Sequence, residues 1–365
     1  MEVKVKDIYN FLDSIAPFDT AMNFDNCGLL VGNMDEKVKS VLLSLDITAD
    51  VINEAKRLGV NLIISHHPVI FSPIKKLSFD SVPGILVKNN INAICAHTNL
   101  DMAHECGVNT CLANAIGLKD IEPLCVEKIK EYKKIVVFVP ENGANKVIDA
   151  MCENGAGKLG NYSKCCFITK GEGRFQPGKN ANPYIGKIGV CEKVPEVRVE
   201  LICPKDKVRS VIKAMISVHP YEKPAFDIFS EDDFICEEFS CGLVGVLENE
   251  MSGKEFAMLV KKNLNCCGLR YTEINRKIKK VAVCSGAGGS YLEFAIQKGA
   301  DAFVTGEIKH HEILNANKFG ICIVDAGHFK TEDIVFETLK KFLETEFYMI
   351  KFYKSEDFTD GIRYL

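Results

Sequence analysis

Apolar and polar residues follow one another in patterns that predict alternating strands and helices. Residues 40–47 (SVLLSLDI) and 60–67 (VNLIISHH) are apolar runs that end in polar residues, which is typical of parallel strands buried on both faces. Between them, the spacing from about Ala49 to Leu58 predicts a helix, and residues 91–101 (INAICAHTNLD) continue the alternation. This strand, helix, strand order predicts an α/β fold for the first part of the chain.

The same alternation returns near the C-terminus. Strand patterns lie in KKVAVCSGAGG, ADAFVTGE and FGICIVDAGH, with a helix pattern in SYLEFAIQKG and a long final helix. Residues 41–68 and 281–308 align without a gap at an offset of 240, although few residues are identical. The alignment predicts two similar α/β halves, and a chance likeness between two strand-helix-strand units is the alternative.

Between the halves, residues 131–232 carry a different order of patterns. Strand patterns in KKIVVFVP, EVRVELICP, AFDIF and a glycine-rich stretch are combined with helix patterns in NKVIDAMCENG and KVRSVIKAMISVHP. The resulting β-α-β-β-α-β order is that of a ferredoxin-like domain. The sequence therefore predicts an α+β domain inserted between an N-terminal half, residues 1–130, and a C-terminal half, residues 233–365.

Composition narrows the class of protein without identifying it. With 365 residues, 47% of them hydrophobic and 26% charged, the chain is expected to form a globular protein of more than one domain. No apolar run approaches the roughly 20 residues that cross a bilayer, and the N-terminus lacks the apolar core of a signal peptide, so we expect a cytoplasmic protein. We then expect the 16 cysteines to be reduced. The net charge of −4 argues against nucleic acid as a partner.

Histidine and carboxylate side chains cluster where the predicted strands end. The clusters are His66 with His67, His97 with Asp101, and His328 with Glu332. Singly, each has a structural alternative, such as a helix cap for Asp101 or a first-turn acid favoured by the helix dipole for Glu332. All three clusters are expected at the sheet edge where α/β folds place ligand sites. One shared site therefore explains them better than three separate structural roles.

We therefore predict a two-metal site built from His66, His67, Asp101, His328 and Glu332. Two divalent ions about 4 Å apart repel each other, and a bridging carboxylate reduces that repulsion while neutral imidazoles complete the shells. The last pair is four residues apart and shares one helix face if the final helix begins near His328. Nitrogen and oxygen donors without thiolate fit two divalent ions of Zn, Fe, Mn, Co or Ni, and the element stays open.

Several motifs resemble those of the Nif-three-like family, whose members are also labelled GTP cyclohydrolase 1 type 2 homologues. They are Ser65-His66-His67-Pro68, His97-Thr98-Asn99-Leu100-Asp101, Thr305-Gly306-Glu307 and Gly327-His328-Phe329-Lys330-Thr331-Glu332. The resemblance extends to Asp25-Asn26-Cys27-Gly28-Leu29, although Phe24 stands where the family usually has Trp. In the central block, Gly-Lys-Ile-Gly at 186–189 and His219-Pro220-Tyr221-Glu222 resemble the PII-like or CutA-like insert of longer bacterial members.

The resemblance implies that the two α/β halves pack as one Nif-three-like domain with a dinuclear site. His67 and Asp101 would hold one metal, His66 and His328 the other, and Glu332 would bridge both. The family is also associated with a toroidal homohexamer whose sites face an internal cavity. The chain itself is thus the partner that the resemblance implies.

Two functions fit such a site. In a hydrolase, the metals would lower the pKa of a bridging water and supply hydroxide for attack on a small molecule. The catalytic candidates are then Glu332, which holds the metal pair, and Glu307 and His97, which could move protons. By the resemblance, His97 would orient Asp101 or stand beside the site, and Glu307 would lie near its rim. The family label points to the imidazole ring of GTP, although the chain has no P-loop.

The alternative is a non-enzymatic hexameric scaffold in which the metals serve structure, storage or sensing.

Overall fold

The structure is a computed structural model that describes residues 2–160, 162–230 and 236–364. The chain divides into two compact units: unit 1 comprises Met1–Lys128 and Phe239–Leu365, and unit 2 comprises Ile129–Glu238. The boundaries predicted from sequence, after residues 130 and 232, stay a prediction. The second of them lies outside the described residues.

The helices and strands below are those of the described residues. The helices are α1 Val5–Ile15, α2 Ala49–Leu58, α3 Val82–Lys88, α4 Thr98–Asp101, α5 Val108–Ile116, α6 Ala144–Glu153, α7 Val208–Val218, α8 Gly253–Asn263, α9 Leu292–Gln297, α10 His310–Phe319, α11 His328–Glu332 and α12 Val335–Glu346. The strands are β1 Gly28–Val31, β2 Ser40–Ser44, β3 Leu62–Ser65, β4 Asn92–Cys95, β5 Lys119–Pro140, β6 Phe167–Phe175, β7 Glu192–Pro204, β8 Phe226–Ser230, β9 Cys236–Met251, β10 Arg270–Tyr271, β11 Ile278–Cys284, β12 Ala302–Thr305, β13 Cys322–Asp325 and β14 Lys351–Lys354.

The first sheet of unit 1 has the strand order β1-β4-β3-β2-β14. The neighbours β14, β2, β3 and β4 are parallel, and β1 is antiparallel to β4. Every residue of β2, β3 and β4 is buried, as their unbroken apolar sequences predict. The helix between β2 and β3 begins where the Thr48 hydroxyl accepts a hydrogen bond from the Val51 amide, and it ends at Gly59 with φ +68°.

The second sheet of unit 1 contains the order β10-β13-β12-β11-β9, in which β11, β12 and β13 are parallel. Its central strands repeat the register of the first sheet. Ser44 pairs with Ser65 in the first sheet, and Cys284 pairs with Thr305, 240 residues further on, in the second. The two pairs of parallel strands that the offset predicts are therefore present, one in each sheet, and the protein has a mixed α/β fold.

Unit 2 contains an antiparallel arrangement with the strand order β6-β7-β5-β8. Helices α6 and α7 pack against one face, where Val137 and Val199 lie in a buried cluster with Val147 and Val211. Because strand neighbours point to opposite faces, Phe138 on β5 and the residues that alternate with Val199 on β7 face away from this cluster.

Two further predictions can be compared with this structure. No helix in the described part of the chain combines the length and the apolar character needed to span a membrane. Every cysteine whose side chain the structure describes is a free thiol, as the sequence predicts.

Candidate metal centre

The predicted ligand residues all follow the carboxyl ends of parallel strands in unit 1. His66 and His67 come directly after β3, and Asp101 ends the short helix α4 that follows β4. His328 and Glu332 are the first and last residues of α11, which follows β13 of the other sheet. Because parallel strands present their carboxyl ends at one edge, each sheet places its polar residues at a single edge.

The Glu332 carboxylate lies at the middle of this group. Its Oε2 atom is 3.1 Å from His67 Nε2 and 2.9 Å from His328 Nε2. Its Oε1 atom is 3.9 Å from His66 Nε2, which in turn is 3.5 Å from Asp101 Oδ1. The fold thus brings together all five residues that the sequence predicts as ligands.

Four imidazoles around the centre are oriented in the same way, each with its Nδ1 atom next to a protein oxygen. The pairs are His66 with the Ala96 carbonyl (2.9 Å), His67 with Asp46 (3.0 Å), His97 with Asp25 (2.9 Å) and His328 with Glu307 (2.8 Å). An oxygen acceptor holds the proton on Nδ1, so that the lone pair of the neutral ring is on Nε2. This is the orientation of histidines that bind metal through Nε2.

His66 provides the test of whether a metal fits these residues. Its ring is completely buried, and its Nε2 atom has no hydrogen-bond partner. Burial lowers the pKa of His66 to about 3, so this ring is neutral. A buried nitrogen lone pair without a partner is unfavourable, and a cation between His66, Asp101 and Glu332 would satisfy it. Nitrogen and carboxylate donors are also what such an ion requires.

The charges of the centre are coupled. Burial alone would raise the pKa of Glu332, but hydrogen bonds from His328 and His67 outweigh it and hold that pKa well below its usual value. Burial raises the pKa of Asp101, and the nearby negative charge of Glu332 raises it further. The buried carboxylate of Glu332 and the partly buried carboxylate of Asp101 therefore share a site where a cation would stabilise both.

Three groups of side chains at the centre can hold a metal ion, since their ligand atoms lie within 4.8 Å of one another. The groups are His66 with Asp101 and Glu332, His67 with His328 and Glu332, and His66 with His67 and His97. The first two share only Glu332. This grouping differs from the one implied by the resemblance, which combines His67 with Asp101 and His66 with His328.

The glycine-rich turn after β11 forms one wall of the centre. Gly286 has φ +56°, and a Cβ atom there would collide with Glu332 Oε1. Its amide donates to Thr331 Oγ1 at 3.1 Å. The turn therefore packs against Glu332, and its glycine is needed both for backbone conformation and for space.

The structure also shows which predicted residues lie at the rim. Glu307 contacts His328, and its side chain is 61% exposed, whereas that of Glu332 is 5% exposed. The His97 ring lies 5.1 Å from that of His66 and 5.5 Å from that of His67, between centroids. His67 and His328 are partly exposed, so that this side of the centre is open to a small molecule.

The sequence patterns do not predict two of the carboxylates at the centre. Asp46 follows β2 and contacts His67, and its position after an apolar strand was the signal that could have revealed it. Asp25 is completely buried as a side chain and accepts hydrogen bonds from the amide and hydroxyl of Thr98 as well as contacting His97. These bonds hold the pKa of Asp25 well below its usual value against the opposing effect of burial. Its segment resembles the family, but only the fold connects it to His97.

Comparisons with known proteins agree with one another. The profile of the family described as Duf34/NIF3 (NGG1p interacting factor 3) matches residues 3–360. The GTP cyclohydrolase 1 type 2 homolog of Staphylococcus epidermidis is 37% identical over 370 residues, which cover 99% of this chain and 100% of that protein. The homolog of the same name from Bacillus subtilis is 40% identical over 332 residues, 90% of this chain and 88% of that protein. The crystal structure of a Bacillus cereus protein related to NIF3 matches with a TM-score of 0.82 at 37% identity, covering 100% of both chains.

Proposed function

The chain belongs to the Duf34/NIF3 family, and from this premise we propose that it is a dinuclear metal-dependent hydrolase of a small molecule. His66, His67, Asp101, His328 and Glu332 would hold two divalent ions. The two groups of donors that share Glu332 support this proposal, with His66 and Asp101 on one side and His67 and His328 on the other.

The observation that carries the proposal is the division of the Glu332 carboxylate between these two sides. Its Oε1 atom faces His66, and its Oε2 atom faces His67 and His328. A carboxylate that offers one oxygen to each of two donor groups is suited to bridge two cations and reduce their repulsion. The Nδ1 contacts of the imidazoles support the same conclusion, because outer partners of this kind orient metal-binding histidines.

When bound, divalent ions would activate water at neutral pH and polarise the bond under attack. The chain supplies the remaining functions. Glu307 is exposed and contacts His328 Nδ1, so it can exchange protons with solvent or substrate at the rim. His97, held by Asp25, is the second candidate for moving a proton. The donor set is compatible with Zn, Fe, Mn, Co or Ni.

Metal analysis of the purified protein tests the dinuclear site. We expect about two divalent ions per chain in the wild type and loss of both in Glu332→Ala, because this side chain belongs to both donor groups. Glu337→Ala is the matched control, since this carboxylate lies on α12 and is 67% exposed. Full metal content in Glu332→Ala would contradict the proposal.

Activity is tested with GTP and with a panel of phosphoesters. The relatives from Staphylococcus epidermidis and Bacillus subtilis carry the name GTP cyclohydrolase 1 type 2 homolog, which makes GTP the first substrate to measure. We expect hydrolysis that disappears in Glu332→Ala and persists in Glu337→Ala. Turnover unchanged by Glu332→Ala would refute the hydrolase, and a metal-loaded protein without turnover would favour the non-enzymatic scaffold.

We also propose that unit 2 is a ferredoxin-like, PII-like or CutA-like insert. Its antiparallel order β6-β7-β5-β8, with both helices on one face, supports this interpretation. The homohexameric toroid and the cytoplasmic location likewise stay predictions that rest on the resemblance and the sequence. Light scattering on the purified chain tests the hexamer, and a stable monomer would contradict it.

A further inference from the structure

Unit 2 contains a cavity of about 260 Å³ that is separate from the residues of the candidate metal centre. It is bounded by strand residues on the sheet face that α6 and α7 leave free and by the segments 177–184 and 221–225. The side chains that matter for its chemistry are Phe138, Phe175, Tyr184, Tyr221, Glu196 and Glu222. A concave, mostly apolar site with a few polar groups is the usual form of a small-molecule site.

Three aromatic rings meet in this cavity at inclined angles. The ring of Tyr221 lies 5.8 Å from that of Phe175 with an angle of 61°, and 6.3 Å from that of Tyr184 with an angle of 56°. Each aromatic ring has two π faces. The faces carry partial negative charge and attract cations, most strongly when the cation is withdrawn from water.

Glu196 adds a full negative charge to this wall. Its Oε1 atom accepts a hydrogen bond of 2.6 Å from the Tyr221 hydroxyl. Among the described residues, no Lys or Arg forms an ion pair with it. Other glutamates of unit 2 do have such partners, for example Glu131 with Lys205, Glu141 with Lys170 and Glu172 with Arg174. A half-buried carboxylate without a cationic partner leaves a position for a cation from solution.

Hydrogen bonds of His219 hold the turn that carries Tyr221. The Tyr221 amide donates to His219 Nδ1 at 3.0 Å, so the other ring nitrogen of His219 carries the proton and donates to the Phe138 carbonyl at 3.0 Å. Burial lowers the pKa of His219, which agrees with this neutral form. Both nitrogens of His219 are therefore used within the protein. Its role is to fix the turn that carries Tyr221 and Glu222.

Neither basic residue of the cavity, Arg174 or Lys223, forms an ion pair with Glu196. Arg174 donates a hydrogen bond of 2.8 Å from its Nε atom to Glu172, and its Nη2 atom forms an ion pair of 2.8 Å with the same carboxylate oxygen. Lys223 is exposed, beside the exposed Glu222. A hydrated divalent metal ion is also a poor match, since such ions require several oxygen ligands and the lining of this cavity is more apolar than polar.

We propose that the cavity of unit 2 binds a small organic ammonium ion that carries an apolar group. The ammonium contacts the π faces of Tyr184 and Tyr221 and pairs with the Glu196 carboxylate, and the apolar group lies against Phe138 and Phe175. The Glu196 oxygen not bonded by Tyr221 accepts the charge of the ligand. This site is independent of the proposed hydrolase, because its residues lie in unit 2 and the metal donors lie in unit 1.

Titration calorimetry of the full chain with choline and with its uncharged isostere 3,3-dimethylbutan-1-ol tests the proposal. The two probes have nearly the same shape and differ in charge. We expect choline to bind at least about tenfold more tightly, because cation-π attraction and the Glu196 charge act on the cation alone. Equal binding of both probes, or no binding of choline up to about 10 mM, would overturn it.

Substitutions test whether Glu196 contributes to choline binding. Glu196→Gln keeps the shape of the side chain and removes its charge, and we expect it to weaken choline binding about tenfold. The matched control is Glu200→Gln on the same strand, because Glu200 pairs with Arg198 and lies outside the cavity. A similar loss in both variants would contradict the assignment. If Glu196→Gln does not fold, Tyr184→Ala replaces it, since this exposed ring can be removed without affecting the core.

Discussion

Protons and metal ions compete for the same nitrogen atoms in the candidate centre. Without metal, the hydrogen bond with Glu332 and a second with Glu307 raise the pKa of His328 to about 9. Burial opposes charge on His67, but hydrogen bonds with Asp46 and Glu332 raise its pKa to about 10. At neutral pH these raised pKa values favour protonation of the pair, whereas a metal ligand must be neutral.

This competition predicts the pH dependence of metal affinity. Below pH 9 an ion that binds the group of His67, His328 and Glu332 must displace protons from these two rings, so the affinity of this group should rise with pH up to that range. The expected slope is about tenfold per pH unit for each proton released. Zn²⁺ affinity measured by competition with a chelating dye at several pH values checks this. An affinity that is flat or falls as pH rises would contradict it.

Gly286 offers a second test at the scale of one residue. We expect Gly286→Ala to lose metal, because the added methyl would displace Glu332 Oε1. Gly299→Ala is the matched control, since Gly299 also has positive φ, +68°, but its methyl would meet nothing within 4 Å. Both variants carry the backbone strain of positive φ, so only the collision distinguishes them. Equal metal content in the two variants would exclude this role for Gly286.

At the scale of elements, the centre depends on the short helix α11. Its five residues begin after Gly327, whose φ is +85°, and bring His328 and Glu332 onto one face. A helix this short has little stability of its own. The completely buried Thr331 connects it to the turn after β11, because its hydroxyl accepts from the Gly286 amide and donates within α11. The position of the helix thus depends on packing more than on propensity.

Thr331→Val tests this connection. Valine has nearly the same shape but leaves the buried Gly286 amide without an acceptor, so we expect a loss of about 1–3 kcal/mol in the free energy of unfolding. Thr345→Val is the control, since the Thr345 hydroxyl is exposed and donates only to the Lys341 carbonyl in its own helix. Its expected effect is within about 0.5 kcal/mol. Chemical denaturation measures both, and equal losses would show that the connection is unimportant.

At the scale of the whole molecule, the centre connects strand ends from the two sheets of unit 1. His66, His67 and Asp101 come from one part of the sequence, and His328 and Glu332 from another more than 200 residues away. A ligand that binds only the folded arrangement stabilises it by mass action. Metal should therefore stabilise the elements of unit 1, and among the described residues unit 2 contains none of the groups that can hold a metal ion.

Hydrogen exchange of the full chain before and after chelation tests this consequence. At a metal concentration of 100 times Kd, binding adds about 3 kcal/mol to stability, which chelation removes. We expect faster exchange in β3 and β13 after chelation and unchanged exchange in β7. The difference in exchange between the two units distinguishes loss of a specific metal centre from destabilisation of the whole chain. Faster exchange in both units alike would contradict a centre confined to unit 1.

Much of this could be predicted before the structure. The motifs indicate the family. The apolar runs, which reflect local burial, indicate the α/β class and the two parallel strand pairs at an offset of 240. All three predictions are confirmed. Asp46 and Asp25 were not predicted as partners of His67 and His97, because the sequence does not show whether either carboxylate faces the histidines or the solvent. The grouping of donors around Glu332 also required coordinates.

The sequence by itself determined which side chains are available at strand ends, since burial of the strands leaves polar residues at their carboxyl edges. Only the tertiary structure decided which atoms meet. Whether His67 lies beside His328 or Asp101 depends on how two sheets pack, and whether Glu196 finds a cation partner depends on neighbours far away in sequence. Such contacts arise from packing between distant segments, and no local pattern records them.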